Sequence, residues 1–294
     1  MSIFLKRYEE LGEKFNPEKI KLKTSLRVNT LKISEKELIS RLEKEKVVLK
    51  KIPFLDYGYY CEADFSLGAT PEYLQGYYYL QEAASQIPVM ILKPSPNDLV
   101  LDMSAAPGGK TTQITSYMNN KGTIIALDNN VNRLEALRNN IERLGVKNVI
   151  IYKKDSRFVD DLEITFDKIL LDAPCSGNFA DEKNWFKIKT LEGIKEIARL
   201  QRELLKAAVK VLKKNGVLVY STCSLEPEEN ELNINWLLSK YDDLELEELN
   251  VSISDFGLVN VFDQKLNTKI KKCRRFWPHK IGTQGFFIAK IRRK

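Results

Sequence analysis

The chain has 294 residues, and its 47 lysines and arginines outnumber 40 aspartates and glutamates, for a formal net charge of +7. Four cysteines without a CxxC pair and a single histidine, His279, argue against a structural zinc site and against multi-histidine or Ser-His-Asp catalysis. No signal peptide is predicted and no apolar run approaches the roughly 20 residues that span a bilayer, so we expect a reduced, cytoplasmic protein.

Residues 1–86 are predicted to form a small α+β unit. Helices are expected over residues 3–15 and 34–45, the second with Ser34 as N-cap and Glu37 closing a capping box. Between them, LRVNTLK predicts a strand. Seven tyrosines and two phenylalanines then fall between Phe54 and Tyr79. These rings either stack on nucleic-acid bases or pack between this unit and the remainder of the chain.

Residues 87–294 alternate between strand and helix patterns, which predicts an α/β domain. The clearest helices are expected over residues 130–144 and 190–212. Short apolar runs bounded by turn residues are typical of buried parallel strands, and the last one is expected to be antiparallel. Seven strands are predicted, at residues 99–103, 123–127, 149–153, 167–171, 216–221, 244–249 and 286–291.

The first of these strands leads into a glycine-rich turn, SAAPGGKT, which starts at Ser104. Gly108 and Gly109 permit a sharp turn and a close ligand approach, and the free N–H groups of the following helix favour a carboxylate. The second strand ends at Asp128, where a carboxylate can accept hydrogen bonds from ribose hydroxyls. Neither GxxxxGK[ST] nor GxGxxG is present. A nucleoside with a carboxylate and no phosphate fits this pattern, which predicts a Rossmann-like class I S-adenosylmethionine-dependent methyltransferase with a seven-stranded mixed sheet.

Two cysteines follow apolar runs in similar settings, Cys175 in ILLDAPCSG and Cys223 in GVLVYSTCS. Both therefore lie at the sheet edge where open α/β folds bind ligands. Together with AAPGGKT, these motifs resemble those of the Nop/Sun family of RNA cytosine-C5 methyltransferases. The resemblance continues in LRVNTLK and in RRFWPHKIGTQGFFIAKI, and thus covers most of the chain.

The resemblance implies a catalytic scheme. Carbon 5 of cytosine is a poor nucleophile, so a thiolate must first add at carbon 6. In the family the STC thiol attacks and the PC thiol assists release, which implies these roles for Cys223 and Cys175. The residues alone leave the order open, because DNA-type enzymes attack with the PC cysteine. Asp172 is expected to hydrogen-bond the Watson–Crick edge of cytosine, and the carbonyl of Pro174 its exocyclic amine.

The resemblance also implies the cofactor contacts, with Asp155 placed near the adenine. Ser104 stands where relatives often have cysteine, a harmless change if its backbone amide makes the contact. Lys110 meets the methionyl carboxylate or lowers the pKa of Cys223, or else is an exposed helix lysine. The expected cofactor-binding residues are Ser104, Ala105, Ala106, Pro107, Gly108, Gly109, Lys110, Asp128, Arg133, Asp155 and Asp172.

The C-terminal residues 265–294 carry eleven lysines and arginines and no aspartate or glutamate. We expect Lys271, Lys272, Arg274 and Arg275 at the centre of this run to contact RNA phosphates, the alternative being a solvated surface. A short N-terminal unit without a large RNA-binding appendage resembles the tRNA branch of the family, especially its archaeal members. tRNA is therefore the expected substrate and ribosomal RNA the alternative.

A different class of function is also considered. A catalytically silent RNA-binding protein on this fold would be expected to have lost Cys223 or Asp172, and both are present. The sequence identifies no accessory protein.

Overall fold

The computed structural model describes residues 2–294. Its N-terminal elements are α1 (Ile3–Glu10), β1 (Ser25–Val28), α2 (Glu35–Lys44), β2 (Val48–Lys51), β3 (Gly58–Glu62), α3 (Pro71–Leu74) and β4 (Tyr78–Leu80). The first half of the remaining chain contains α4 (Ile87–Leu92), β5 (Leu99–Asp102), α5 (Gly109–Met118), β6 (Thr123–Asp128), α6 (Val131–Leu144), β7 (Val149–Lys153) and β8 (Phe166–Asp172). The second half contains α7 (Trp185–Ile188), α8 (Leu191–Val211), β9 (Leu212–Thr222), α9 (Glu231–Lys240), β10 (Leu244–Leu246), β11 (Asp255–Phe256), β12 (Asn260–Val261), β13 (Gln264–Lys265), β14 (Arg274–Phe276), α10 (Pro278–Ile281) and β15 (Phe286–Arg293).

The N-terminal elements form an antiparallel sheet in the order β2-β3-β1-β4, and α2 packs on one face of it. Ser34 caps α2 by accepting a hydrogen bond from the Glu37 backbone amide at 3.3 Å. The capping box is only half formed, because the Glu37 carboxylate faces Arg41 at 2.9 Å. Helix α1 is shorter than expected, since the chain turns at Gly12 with a φ of +89°.

Helix α1 packs away from this small sheet. Its inward side chains, Phe4 and Tyr8, are buried in one cluster with Trp185, Leu225 and Trp277. The start of the chain therefore contacts the segment that follows β9 and the residues that precede β15.

The large sheet confirms the predicted mixed α/β architecture. Its strand order is β11-β14-β15-β9-β8-β5-β6-β7, and β10 also pairs with β15. Strands β5 to β9 are parallel and β15 is antiparallel to β9, as expected. All seven predicted strands form, although β10 ends three residues early, at Leu246. Within residues 2–294 the short strands β11 and β14 widen the sheet to nine strands.

Helices cover both faces of the large sheet, because alternate strand residues point to opposite sides. Ile169 and Leu171 of β8 pack with α8, whereas Leu170 packs with α4 and α5. The carboxyl ends of the five parallel strands consequently meet at one edge.

Within residues 2–294 no helix combines the length and the apolar character needed to cross a bilayer. No group of three or more His, Cys, Asp or Glu side chains there has an arrangement suited to a metal ion.

Candidate active site

The glycine-rich turn connects β5 to α5 at this edge. Asp102, the last residue of β5, is buried and accepts hydrogen bonds from the Thr111 hydroxyl at 2.8 Å and the Ser104 amide at 3.3 Å. Burial raises the pKa of Asp102 to about 6. Gly108 has a φ of +108°, and a Cβ there would lie 2.9 Å from a methyl group of Leu137. Glycine is thus required for both the turn and the packing of α5 on α6.

A cavity of about 470 Å³ opens beside this turn. Its wall includes apolar side chains from α8, Leu200 and Leu204. The predicted site residues that line it are Ser104, Ala106, Asp128, Arg133, Asp155, Asp172, Pro174, Cys175 and Cys223.

Asp128 and Arg133 both line this cavity and lie next to each other. The Asp128 side chain is 3% exposed, and its carboxylate lies 3.5 Å from the Arg133 guanidinium. Arg133 also donates to the carbonyl of Ala106, so it links the end of β6 to the glycine-rich turn. Asp155 also lines the cavity and caps the 3-10 helix Ser156–Leu162. A hydrogen bond from Arg157 lowers the pKa of Asp155. Asp128 and Asp155 therefore present carboxylates to the same cavity.

A second cavity of about 250 Å³ adjoins the first, and both are lined by Ser104, Ala106 and Asp172. Four further predicted residues line only this smaller cavity, namely Ala105, Pro107, Gly109 and Lys110. Gly108 lines neither. The N-terminal segment supplies wall residues that sequence analysis did not predict, namely Tyr79, Leu80, Gln81, Glu82 and Ser85. The aromatic stretch between Phe54 and Tyr79 was one sequence signal for these wall residues, since Tyr79 belongs to it.

Asp172 and Lys110 form an ion pair where the two cavities meet. The Lys110 ammonium lies 2.6 Å from one carboxylate oxygen of Asp172, and the Ser221 hydroxyl donates to the other at 2.7 Å. Burial lowers the pKa of Lys110, but the charge and hydrogen bond of Asp172 outweigh it, so the pKa is raised. Lys110 is 13% exposed and is therefore not a solvated helix lysine.

The two cysteines lie directly beside this pair. Cys175 Sγ and Cys223 Sγ are 2.7 Å apart, farther than the roughly 2.04 Å of a disulfide bond, and both are free thiols. The contact with Cys223, together with burial, raises the pKa of Cys175 well above its usual value. Cys223 also lies close enough to Lys110 to raise the pKa of that lysine. The two sulfur atoms and the Lys110–Asp172 pair therefore form one connected group.

The structure contradicts the prediction that Arg275 contacts RNA. Arg275 is 0% exposed, and its guanidinium is paired with the buried carboxylate of Glu231 at 2.5 Å. The charge count missed this pair because the partners are 44 residues apart. Arg275 also donates to the carbonyl of Leu225 at 2.6 Å, two residues after Cys223.

The other residues of the predicted phosphate-binding run differ in exposure. Arg274 is 8% exposed, packs on the Phe256 ring and donates to the carbonyls of the preceding residues, so it too is unsuited to phosphate contact. Lys272 is half-buried and donates to a backbone carbonyl, and Lys271 is exposed. Only the two lysines of this run remain candidates for RNA contact.

The chain is similar to known RNA methyltransferases over nearly its whole length. Residues 89–292 match the family described as 16S rRNA methyltransferase RsmB/F, and residues 3–83 match the N-terminal domain of 16S rRNA methyltransferase RsmF. A tRNA (cytosine(49)-C(5))-methyltransferase of Pyrococcus abyssi is 40% identical over 92% of this chain and 88% of its own length.

Other relatives are longer than this chain. A tRNA (cytosine(72)-C(5))-methyltransferase of Pyrococcus horikoshii is 45% identical over 78% of this chain, but the match spans only 55% of that protein. Ribosomal RNA small subunit methyltransferase F of Vibrio parahaemolyticus is 39% identical over 92% of this chain and 57% of its own length.

Two solved structures share the fold. A methyltransferase homolog from Pyrococcus horikoshii superposes with a TM-score of 0.86 at 43% identity, covering 97% of this chain and 89% of that one. The NSun6 structure from Pyrococcus horikoshii with SFG superposes with a TM-score of 0.82 at 32% identity, covering 94% and 92%. With its two cysteines, its glycine-rich turn and these matches over most of its length, the chain belongs to the RsmB/F family of methyltransferases.

Proposed function

We propose that this chain transfers a methyl group from S-adenosylmethionine to carbon 5 of a cytosine in RNA, with tRNA as the substrate. The observation that carries the proposal is the pair of free thiols, 2.7 Å apart, beside the Asp172–Lys110 ion pair. The two Pyrococcus relatives are tRNA cytosine-C5 methyltransferases by name, which supports the same base and the same position.

The larger cavity fits S-adenosylmethionine in size and in chemistry. Its volume of about 470 Å³ is in the range of small-ligand sites. Asp128 offers a buried carboxylate to ribose hydroxyls, and Leu200 and Leu204 offer apolar contact. In the adjoining cavity, Lys110 and the start of α5 would attract the methionyl carboxylate. The bound cofactor supplies an electrophilic methyl group.

The positions of the two thiols support a division of labour between attack and release, in the order that the family resemblance implies. Burial and the neighbouring sulfur raise the pKa of Cys175, so that its thiolate is a strong base, and Cys223 lies close enough to Lys110 to raise the pKa of that lysine. Cys223 attacks carbon 6 of cytosine, and the electron pair that builds up at carbon 5 takes the methyl group. In the release step the Cys175 thiolate takes the carbon-5 proton, the electrons of that C–H bond restore the double bond between carbons 5 and 6, and the Cys223–carbon 6 bond breaks with its electrons returning to sulfur.

We further propose that Asp172 recognises the base during this attack. Lys110 and Ser221 fix one carboxylate oxygen each, and each oxygen retains a free lone pair for a donor on the Watson–Crick edge. At carbon 4 cytosine carries an exocyclic amine, which donates, whereas uracil carries a carbonyl, which accepts. A carboxylate that faces the substituent on carbon 4 therefore favours cytosine.

The assignment of the thiols is tested by trapping. Cys223→Ala should abolish methylation without trapping RNA, whereas Cys175→Ala should accumulate a covalent protein–RNA adduct that survives a denaturing gel. Cys61→Ala is the matched control, because Cys61 is a buried thiol in the N-terminal unit and should leave methylation unchanged. An adduct with Cys223→Ala and none with Cys175→Ala would reverse the assignment.

The substrate class is tested by bisulfite sequencing of tRNA and ribosomal RNA after incubation with the protein and cofactor. The Pyrococcus abyssi enzyme, of which the chain spans 88%, supports tRNA. A new methylcytosine in ribosomal RNA alone would favour the alternative. We further propose that residues 1–86 help to position the RNA and residues 87–294 catalyse methylation, since Tyr79 and Gln81 line the smaller cavity. A reduced thiol pair of this kind is suited to the cytoplasm.

A further inference from the structure

Glu229 lies in the loop between β9 and α9 and is 0% exposed. Its carboxylate accepts hydrogen bonds from the Ser176 amide at 3.1 Å, the Ser224 hydroxyl at 2.6 Å and the Gln201 side-chain amide at 2.8 Å. The Ser176 hydroxyl also donates to it. Among residues 2–294, no lysine or arginine forms an ion pair with this carboxylate, so neutral donors alone satisfy it.

The two serine donors belong to the segments that carry the catalytic thiols. Ser176 follows Cys175, and Ser224 follows Cys223. The two serine hydroxyls also lie 3.1 Å from each other. The Glu229 carboxylate therefore bridges the two cysteine-bearing loops directly.

Gln201 extends this bridge to a third element. From the middle of α8 its side-chain amide donates both to Glu229 and, at 2.9 Å, to the carbonyl of Pro174. The Gln201 side chain also accepts a hydrogen bond from the Tyr220 hydroxyl at 3.1 Å. Tyr220 lies three residues before Cys223. The loop of Cys175 is thus held on both sides, through Pro174 and through Ser176.

A buried carboxylate without a cation is costly, and burial accordingly raises the pKa of Glu229. An apolar side chain of similar size would avoid that cost, but it could not bridge two loops. Buried polar groups of this kind are retained where one arrangement of the surrounding groups must be specified.

We propose that Glu229 is a positioning residue that sets the distance between the Cys175 and Cys223 thiols. This inference rests on the proposed function. Attack on carbon 6 needs only the Cys223 sulfur at the base, whereas release needs Cys175 at carbon 5 while Cys223 is still bonded to carbon 6. Release therefore depends on the relative position of the two loops, and attack depends on it far less.

Glu229→Gln is the sharpest perturbation. It keeps one acceptor oxygen for the serine hydroxyls but turns an N–H₂ group toward the donors of Ser176 and Gln201, so the bridge is weakened. Because a misplacement of about 1 Å can cost about 100-fold in rate, we expect kcat to fall by about 10- to 100-fold. KM for RNA should change by less than about threefold, because the cavity walls are untouched. A trapped protein–RNA adduct should appear on denaturing gels, as with Cys175→Ala.

Glu226→Gln is the matched control. Glu226 is a buried glutamate of the same loop, but its partners are Tyr8 and Arg7 on α1 rather than the cysteine loops. It should turn over like the wild type and trap no adduct. Calorimetric binding of S-adenosylmethionine to Glu229→Gln should match the wild type and would show an intact cofactor site.

The outcomes separate the inference from the proposed function. If the wild type does not methylate RNA and Cys175→Ala forms no adduct, the proposed function is refuted. If the wild type is active and Glu229→Gln matches it in kcat and in adduct level, the positioning role is refuted. Equal losses in attack and release without any adduct would also refute the positioning role. If Glu229→Gln does not fold, Ser224→Ala, which frees the Cys223 loop alone, must show the same adduct accumulation or the inference is wrong.

Discussion

Replacing Arg275 by methionine should lower the free energy of unfolding by about 3–5 kcal/mol. The substitution keeps much of the apolar volume but leaves the Glu231 carboxylate, which is also 0% exposed, without its cation. Breaking a buried ion pair at one partner costs about this much, because a buried charge is left uncompensated. The carbonyl of Leu225 also loses a donor at 2.6 Å. Since a folded domain is stable by only about 5–15 kcal/mol, the loss is large.

Urea unfolding followed by circular dichroism measures this change. Lys271→Met is the matched control from the same basic run, because Lys271 is exposed and its loss should change stability by less than about 0.5 kcal/mol. The double variant Arg275→Met/Glu231→Leu should recover most of the lost stability, since it removes both charges. If Arg275→Met unfolded like the wild type while RNA affinity fell, the guanidinium would be a phosphate contact and the burial argument would be wrong.

Three further perturbations test the cofactor site, the titration of a buried carboxyl and the remaining basic residues. Asp128→Ala should weaken S-adenosylmethionine binding by about 1.5–3 kcal/mol, the contribution of charge-assisted hydrogen bonds, and unchanged calorimetric affinity would place the ribose elsewhere. Burial raises the pKa of Glu226 from 4.5 to about 7, so wild-type stability should fall by about 2–3 kcal/mol as pH rises through that window. In Glu226→Gln this pH-dependent fall in stability should be absent, and urea unfolding midpoints at pH 5 and pH 8 measure it. Lys271→Ala/Lys272→Ala should reduce the log–log salt slope of RNA affinity by about two at most, and an unchanged slope would make both lysines ordinary surface residues.

The strands and the position of the site were predictable because their signals are local. A parallel strand buried on both faces is a short apolar run, as in residues 169–171, and the residues that follow its carboxyl end can supply the site. Asp172, Cys175 and Cys223 each follow such a run, so their convergence at one edge follows from the sheet order.

What the sequence could not show depends on contacts between distant residues. The run around Arg275 contains no acidic residue, yet Glu231 neutralises its guanidinium from 44 positions away. A count of charges along the chain compares only residues that are close in sequence. It therefore predicted a surface position for Arg275, which is buried. Glu229 was missed for the same reason, since its donors come from loops and a helix that only the folded chain brings together.

The segment after Cys223 shows why motifs from both ends of the chain accompany the catalytic cysteines. It contains three completely buried glutamates, each held by a different part of the fold. Glu226 accepts from Tyr8 of α1, Glu229 bridges to the Cys175 loop, and Glu231 pairs with Arg275 of β14. The N-terminal helix and the C-terminal strands thus converge on the segment that carries the candidate nucleophile. Since these partners come from separate elements, the segment after Cys223 connects both ends of the chain to the large sheet, and of the three glutamates only Glu229 also contacts the Cys175 loop.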